Sequence, residues 1–371
     1  MKMKKTALSI LVFAASAALV LTGCARSAAP QDSSPTEAPE GSSSTAVGFE
    51  KGSVIGVSLP QKTSENWVLA EALFTQDIAD AGFTPIVQFA NAGVAEQQNQ
   101  ISAMITKGAK VIIVGAIDGS QLGTQLKQAK DAGITVIAYD RLLTNTTDVD
   151  FHVAFDSFKI GVFQGESLLL GLATKKARGP YNIELFAGSP DDANAKLFFE
   201  GAMSVLQPKI DDGTLVVPSG NVTFNDVSTL GWLPANGQTR MDALLVAHYS
   251  STTLDGVLMP NDTLARTILT SVKAAGKPLP IVTGQDSDVE SIKSIMAGEQ
   301  YSTVDKDTRV QEGQVMKMVL SLAAGETVEV NGESTSDVKT ILAFLLEPIL
   351  VTKDNAVEVY KNNPTLAAAT K

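Results

Sequence analysis

Cysteine and histidine are nearly missing from this sequence. Among its 371 residues, Cys24 is the only cysteine, and His152 and His248 are the only histidines. A single cysteine excludes an internal disulfide and any metal site built from several thiolates. The two histidines stand in no spacing that is typical of a catalytic pair or a metal site. We therefore predict that the protein binds neither a metal nor a cofactor.

Positive charge is also scarce. Lys and Arg total 29 against 40 Asp and Glu, which gives a formal net charge of −11. Because nucleic-acid binding needs a basic face, nucleic acid is not expected as a partner. The sequence also lacks the glycine-rich dinucleotide motif, the Walker loop, the HExxH zinc motif and the GxSxG nucleophile motif. We therefore predict that the chain is not an enzyme.

The N-terminal residues have the composition of an export signal. Three lysines within the first five residues precede an apolar run, residues 7–21, that is too short to span a bilayer comfortably. The run ends in LTGC, and Cys24 falls where a bacterial lipoprotein signal places the cysteine that becomes acylated. The alternative is a plain secretory signal with a cysteine at this position by chance.

A polar linker follows this signal. Residues 25–48 are mostly Ser, Ala, Pro, Thr and Glu, with almost nothing to bury, so they should not fold. We predict a signal peptide over residues 1–23, lipidation of Cys24, and a disordered tether that ends at residue 52. More than one acyl chain holds a protein stably on a membrane. The mature protein is thus expected outside the cytoplasm, anchored at the outer face of the cell membrane or in the periplasm.

From residue 53 onward, strand-sized apolar runs alternate with helix-sized segments. Helix-ending glycines recur at Gly82, Gly108 and Gly133, where glycine suits the left-handed position that closes a helix. The pattern restarts after residue 155 and continues to about residue 304. Repeated strand–helix units predict an α/β protein with two lobes, each a doubly wound parallel sheet.

Charged residues follow the apolar run of residues 134–138, which ends in Tyr139, Asp140 and Arg141. In open parallel sheets, ligands bind beyond the carboxyl ends of the strands. A carboxylate accepts hydrogen bonds from hydroxyls, and a guanidinium presents a fork of donors. The alternative is that Asp140 and Arg141 only pair with each other at a loop.

Both tryptophans, Trp67 and Trp232, fall in predicted loops or at helix starts rather than inside strands. Each could simply anchor its own loop. As a pair across a cleft, they could instead clamp the apolar faces of a sugar ring while Asp, Asn, Arg and Lys side chains bind its hydroxyls. The acidic cleft disfavours phosphorylated ligands.

Several polar residues at the predicted strand ends have a purely structural alternative. Asn261 and Asp262 could cap the helix that follows them, and Asp286 with Asp288 could cap the next one. Residues 191–192 could be surface charges. Of these residues, we assign only Asp262 to a plain capping role.

Five segments together resemble one protein family: AYDRL (138–142), NIELFAGSPDDANA (182–195), GWLPA (231–235), GQDSD (284–288) and AGEQYSTVDKDTR (297–309). Through them, residues 53–350 resemble the bacterial sugar-binding proteins of ABC importers. The likeness is to the ChvE-type multiple-sugar receptors first and to the xylose-binding proteins next. The resemblance implies the type I periplasmic-binding-protein fold.

That fold implies two lobes joined by three hinge crossovers, near Asp156, near Lys306 and before Thr340. It places residues 53–156 plus 307–339 in an N-terminal lobe. Residues 157–306 plus 340–371 then form a C-terminal lobe.

The resemblance also implies a binding site. Trp67 and Trp232 would flank the sugar ring, and the hydroxyls and ring oxygen would be bound by Asn66, Asp140, Arg141, Asn194, Asn261, Asp286 and Lys306. Asn66 and Ala193 depart from the family pattern, which has arginine and asparagine at these positions. The preferred sugar is therefore left open.

The expected function is that of a monomeric lipoprotein that closes on an aldopyranose such as glucose, galactose, xylose or arabinose. It would deliver this sugar to the transmembrane subunits of an ABC permease. The alternative is a sugar-sensing receptor that presents its closed form to a chemoreceptor or sensor kinase, and the sequence does not separate these two roles. A sugar-modifying enzyme is a third class, but no acid–base pair supports it.

Overall fold

The computed structural model describes residues 48–371 of the chain. The predicted signal peptide, the lipidation site Cys24 and the tether up to residue 47 lie outside the described residues. Within residues 48–371, no helix is both long enough and apolar enough to cross a membrane.

Seven strands form the first sheet. They are β1 (Val54–Leu59), β2 (Thr84–Phe89), β3 (Val111–Val114), β4 (Thr135–Tyr139), β5 (Phe151–Phe155), β11 (Gly332–Thr335) and β12 (Thr340–Leu346). Their order in the sheet is β11-β12-β5-β4-β3-β1-β2, and all neighbours are parallel except β11 and β12. Strand β3 is buried along its whole length, as expected for a strand covered on both faces.

Four helices cover the two faces of this sheet: α1 (Glu65–Asp80), α2 (Val94–Thr106), α3 (Gly123–Asp131) and α10 (Thr308–Ala324). Phe74 of α1 and Val319 of α10 belong to one core cluster, with Val57 of β1. Met104 of α2 and Leu126 of α3 belong to another. Helices therefore lie on both sides, and the predicted doubly wound arrangement is confirmed for this sheet.

The second sheet contains β6 (Tyr181–Leu185), β7 (Leu215–Val216), β8 (Gly256–Leu258) and β9 (Ile281–Val282). These strands are parallel and run in the order β7-β6-β8-β9. Beside them, β10 (Ser302–Asp305) pairs antiparallel with β13 (Ile349–Thr352). The remaining helices are α4 (Ser157–Lys175), α5 (Ala193–Asp211), α6 (Phe224–Val227), α7 (Pro234–His248), α8 (Asp262–Ala274), α9 (Val289–Ala297), α11 (Ala356–Val359) and α12 (Pro364–Ala369).

Strand β12 lies in the first sheet, although residues 340–371 were predicted to join the C-terminal lobe. Leu342 to Leu346 pair in parallel with Phe151 to Phe155 of β5, and Ile341 is fully buried. The chain therefore leaves the first sheet after Leu346, not before Thr340, and its next strand, β13, pairs with β10. An apolar run predicts a strand, but it does not specify which of two apolar sheets the strand will join. For residues 340–346 the predicted boundary was wrong.

Candidate functional site

A cavity, here called the central cavity, lies between loops of the two sheets. The side of the first sheet contributes Ser64, Asn66, Trp67, Asp140 and Arg141. The other side contributes Asp192, Phe198, Trp232, Asn261, Gln285, Asp286 and Lys306. Eight of the nine predicted ligand-binding residues thus line one cavity. Their role in binding stays a prediction, because proximity alone does not test it.

Asn194 is the ninth predicted residue. It does not line the central cavity itself, but it contacts Asp140, which does. Its Nδ2 donates to the backbone oxygen of Asp140 at 3.1 Å and lies 3.2 Å from Oδ1 of the same residue. Asn194 begins α5 on the side of the second sheet, whereas Asp140 follows β4 of the first. This pair therefore joins the two walls of the cavity.

Trp67 is held on the first wall by packing. Its ring meets the ring of Tyr139 edge-on, with centroids 6.0 Å apart, and the Arg141 guanidinium carbon lies 5.4 Å from its centroid. A Cβ at Gly115 would lie 3.0 Å from the indole. The small residue after β3 thus leaves the space that the indole occupies.

Trp232 on the opposite wall is fixed by a hydrogen bond and by a glycine. Its Nε1 donates to Oδ2 of Asp192 at 3.0 Å. A Cβ at Gly188 would lie 2.1 Å from the indole, so a larger residue at this position would displace the ring. Both tryptophans are buried, with exposures of 4% and 7%.

Asp192 is the main site residue that the sequence analysis missed. It was assigned with Asp191 to possible surface charge, but it is 5% exposed and its carboxylate lies 2.9 Å from Nε of Arg141. Burial raises the pKa of Asp192, and the positive charge of Arg141 opposes this rise. Its Oδ1 also accepts from the backbone of Asn194 and caps α5. An Asp just before a helix is a capping signal, but a capping position does not by itself indicate burial.

Three further lining residues were missed, namely Ser64, Phe198 and Gln285. Gln285 stands between two residues of the GQDSD motif, but nothing in a single sequence marks its side chain as inward-facing. Phe198 is an apolar helix residue that resembles any core residue. Its ring centroid lies 5.6 Å from Nζ of Lys306.

Lys306 is a buried cation between carboxylates from both walls. Its Nζ lies 3.1 Å from Oδ1 of Asp286 and 3.6 Å from Oδ2 of Asp140. Burial alone would lower the pKa of Lys306, but these carboxylates outweigh it and raise the pKa above its ordinary value. Burial also raises the pKa of Asp286, and Lys306 partly offsets that rise. The ammonium group is therefore held in its charged form as a donor at the cavity wall.

The backbone is strained at the central cavity. Among residues 48–371, five residues other than glycine have a positive φ, and three of them line this cavity. These are Asp140 (φ 62°), Trp232 (φ 55°) and Asp286 (φ 96°). Such conformations cost free energy and tend to occur at functional sites. The surrounding fold thus holds these three side chains in positions that an unstrained chain would not choose.

Four buried polar atoms at the cavity have no hydrogen-bond partner among residues 48–371. Nε of Arg141 and Oδ1 of Asp286 lie in ion pairs, whereas Oδ1 of Asn66 and Oε1 of Gln285 have neither kind of contact. The amide nitrogen of Gln285 donates to the backbone oxygen of Pro260 at 2.6 Å, so only its oxygen is left free. A buried polar atom without a partner is costly and uncommon. These oxygens can accept hydrogen bonds from a ligand.

The predicted capping roles are partly wrong. Asn261, not Asp262, caps α8, because its Oδ1 accepts from the backbone N–H of Leu264 at 3.0 Å. Asp262 is instead fully buried, and its carboxylate accepts hydrogen bonds from Gln300 and Thr303. Asn261 therefore serves both as a cap and as a cavity residue.

Asp288 also differs from the capping alternative. It stands before α9 but makes no side-chain capping bond there. Its Oδ2 accepts instead from Arg266 at 2.6 Å and from Thr263 at 2.9 Å. Among the residues that the structure describes, no group of three or more His, Cys, Asp or Glu side chains is placed to hold a metal ion.

Comparison with known proteins identifies the family. Residues 55–327 match the periplasmic binding protein domain. Over 321 residues the chain is 46% identical to the multiple sugar-binding periplasmic receptor ChvE of Rhizobium radiobacter, covering 85% of this chain and 90% of that relative. The chain belongs to the periplasmic binding protein family.

Other relatives of this periplasmic binding protein agree in fold. The D-xylose-binding periplasmic protein of Escherichia coli K12 is 32% identical over 302 residues, covering 81% of this chain and 87% of the relative. A solved ABC transporter solute binding protein from Clostridium phytofermentans, with bound β-D-glucose, is 37% identical with a TM-score of 0.81. The match covers 86% of this chain and 100% of the chain in that structure. The predicted type I periplasmic-binding-protein fold is confirmed, and the family consists of binding proteins rather than enzymes.

Proposed function

We propose that this periplasmic binding protein binds one aldopyranose, such as glucose, galactose, xylose or arabinose, in the central cavity. The observation that carries the proposal is the combination of two buried indoles with the unpaired oxygens of Asn66 and Gln285. Indole faces suit the apolar C–H faces of a pyranose, and buried oxygens suit its hydroxyls. The relative named for multiple sugars and the structure with bound β-D-glucose support the same ligand class.

The charged residues have complementary roles in this proposal. Asp140 and Asp286 accept hydrogen bonds from sugar hydroxyls, while Arg141 and Lys306 donate to hydroxyls or to the ring oxygen. Asn261 contributes its amide nitrogen, because its Oδ1 is already used as the cap of α8. A sugar that lacks one of these hydroxyls would leave a buried group unpaired, and this would make the site selective.

Binding also requires the two walls to separate. The volume of the central cavity is about 20 Å³, and the pairs Arg141–Asp192 and Asn194–Asp140 connect its walls. A pyranose therefore enters only when the walls move apart, and it is enclosed when they close again. We place the hinge in the three segments that cross between the sheets, near residues 156, 306 and 347. The closed form then delivers the sugar to the membrane subunits of an ABC permease.

We further propose that the protein works outside the cytoplasm and is anchored through acylated Cys24. The LTGC sequence after a short apolar run supports this anchoring. Expression of the full chain with Cys24→Ser in a bacterial host tests it. The variant is expected in the soluble extracytoplasmic fraction, whereas the native chain is expected in the membrane fraction. Membrane recovery of both chains would contradict the anchor.

Isothermal titration calorimetry tests sugar binding directly. A chain of residues 49–371, titrated with a panel of aldoses, is expected to bind at least one of them at a ratio of one to one. The Trp232→Ala and Asp286→Ala variants are expected to bind roughly tenfold or more weakly, because hydroxyls or ring faces lose their partners. Absence of heat with every aldose would overturn the proposed function. Unchanged affinity in both variants would overturn the site.

A further inference from the structure

A second space, here called the side groove, adjoins the central cavity. Its volume is about 610 Å³, within the range of small-molecule pockets. Ser64, Asn66, Asp286 and Lys306 line both spaces. These four residues form a shared wall, so a ligand held in the central cavity could extend past them into the side groove.

One wall of the side groove is a face of α1 that does not contribute to the core. Trp67, Phe74 and Ile78 form the core face of this helix. The groove face carries Val68, Leu69 and Ala72, with Glu65 at its start. This i, i+3, i+4, i+7 spacing makes a continuous stripe on one side of a helix. Val68 and Leu69 are 45% and 42% exposed, so the stripe offers an uncovered apolar surface.

The opposite wall combines polar groups with a little apolar surface. Thr263, Arg266, Asn363 and Thr365 line it, together with Leu366 of α12. Asp288 also lines the groove, and its buried Oδ1 has no hydrogen-bond partner among residues 48–371. An apolar stripe that faces hydroxyl-binding side chains has the chemistry of a second sugar subsite.

We propose that the side groove binds the second ring of a disaccharide whose first ring occupies the central cavity. This inference rests on the proposed function, because the central cavity must first hold a pyranose. The α1 stripe contacts the apolar face of the second ring. Asn363, Thr365 and the free oxygen of Asp288 bind its hydroxyls. The ligand class then includes disaccharides as well as monosaccharides.

Calorimetry with matched variants tests this proposal. Residues 49–371 are titrated with the most tightly bound monosaccharide and with disaccharides built from it (maltose, cellobiose and gentiobiose in the case of glucose). Ala72→Trp fills the groove from an exposed helix position, while Ala79→Trp makes the same change on the same helix outside the groove. Unchanged monosaccharide affinity in Ala72→Trp also reports that the variant is folded.

At least one disaccharide is expected to bind within roughly tenfold of the monosaccharide. Ala72→Trp is expected to weaken that disaccharide by roughly tenfold or more and to leave the monosaccharide unchanged. Ala79→Trp should change neither affinity. Binding of the monosaccharide with no binding of any disaccharide would overturn the subsite alone, as would a disaccharide affinity unaffected by Ala72→Trp. Absence of heat with every monosaccharide would instead overturn the proposed function on which the subsite rests.

Discussion

Arg141 and Asp192 connect the two walls of the central cavity, with Nε of the arginine 2.9 Å from Oδ2 of the aspartate. The same Oδ2 accepts a hydrogen bond from Nε1 of Trp232. The guanidinium of Arg141 in turn lies over the ring of Trp67. A single carboxylate therefore helps to position an indole on each wall, one directly and one through the arginine.

Asp192→Asn is expected to weaken sugar binding by roughly tenfold or more, because Arg141 loses its buried counter-charge. The new amide group can still cap α5 through its oxygen. Its NH₂ then faces two N–H donors, Nε1 of Trp232, which now donates to Oδ2, and the nearby Nε of Arg141. Titration calorimetry measures the loss. The neighbouring Asp191→Asn, at a residue outside the central cavity, serves as the control and should bind as the native chain does. Equal affinities for the two variants would contradict this role for Asp192.

Gly188→Ala is expected to abolish most sugar binding, because the added methyl would lie 2.1 Å from the Trp232 indole and must push it away. Gly115→Ala should have a smaller effect, since its methyl would lie 3.0 Å from the Trp67 indole. Calorimetry gives the order of the two affinities, and tryptophan fluorescence reports the displaced ring. A larger loss in Gly115→Ala than in Gly188→Ala would contradict this account.

Glu65 forms a further link between the two sides of the cleft. Its Oε2 accepts from the backbone N–H of Val289 at 3.1 Å, and its Oε1 lies 3.7 Å from Nη2 of Arg266. Because the side chain is about half exposed, Glu65→Ala is expected to weaken sugar binding by only about two- to fivefold. The loss should arise from a faster off-rate, since only the closed form contains these contacts.

Two variants test whether the effect of Glu65→Ala comes from its contacts with Val289 and Arg266 across the cleft. Glu65→Gln keeps an acceptor for the Val289 N–H and should recover part of the affinity. Glu71→Ala, on the same helix, removes a pair with Lys62 on the same side of the cleft and should not change the off-rate. Stopped-flow measurement of sugar release distinguishes these outcomes. Equal off-rates for Glu65→Ala and Glu71→Ala would rule out the link.

The buried side chain of Glu312 is expected to make the stability of the folded protein depend on pH. It is 1% exposed between α10 and α1, and burial, with a contribution from the charge of Asp77, raises its pKa to about 8. In the unfolded chain its pKa returns to about 4.5. The folded state therefore binds more protons between these values, and the stability from this group falls as the pH rises from about 4.5 to 8.

Glu312→Gln removes this titration, because a glutamine stays neutral at all pH values. Its melting temperature is expected to match that of the native chain at about pH 5 and to exceed it at about pH 9. Differential scanning calorimetry at both pH values measures the difference. The exposed Glu326→Gln should show no such dependence. A constant difference between Glu312→Gln and the native chain at both pH values would contradict the assignment.

Much of the fold could be predicted from the sequence because its signals are local. Val54–Leu59 is an apolar run that ends at Pro60, and the structure has a strand with these bounds. The positive-φ glycines 82, 108 and 133 follow helices, as the glycine spacing indicated. In contrast, β11 is short and half-exposed, with no apolar run to mark it. The sheet to which β12 belongs depends on pairing with β5, far away in the sequence.

The residues of the central cavity also fall into two groups, those that the sequence could identify and those that it could not. Asp140, Trp232 and Asp286 lie in distinctive motifs at the ends of strands or in adjoining loops, so sequence could identify them. Asp192 and Gln285 could not be separated from ordinary polar residues, because their burial is created by packing between segments distant in sequence. Local signals thus located the loops, whereas the inward-facing side chains within them required the three-dimensional structure.

The pairing of β12 with β5 has a consequence for fragments of this protein. The first sheet includes residues from before and after the second sheet, so no single cut separates the two sheets. A product that stops before residue 340 would leave β5 as a bare edge with unpaired N–H and C=O groups. Such an edge readily pairs with another copy. Truncated products are therefore expected to aggregate, and an intact C-terminus protects the chain from self-association.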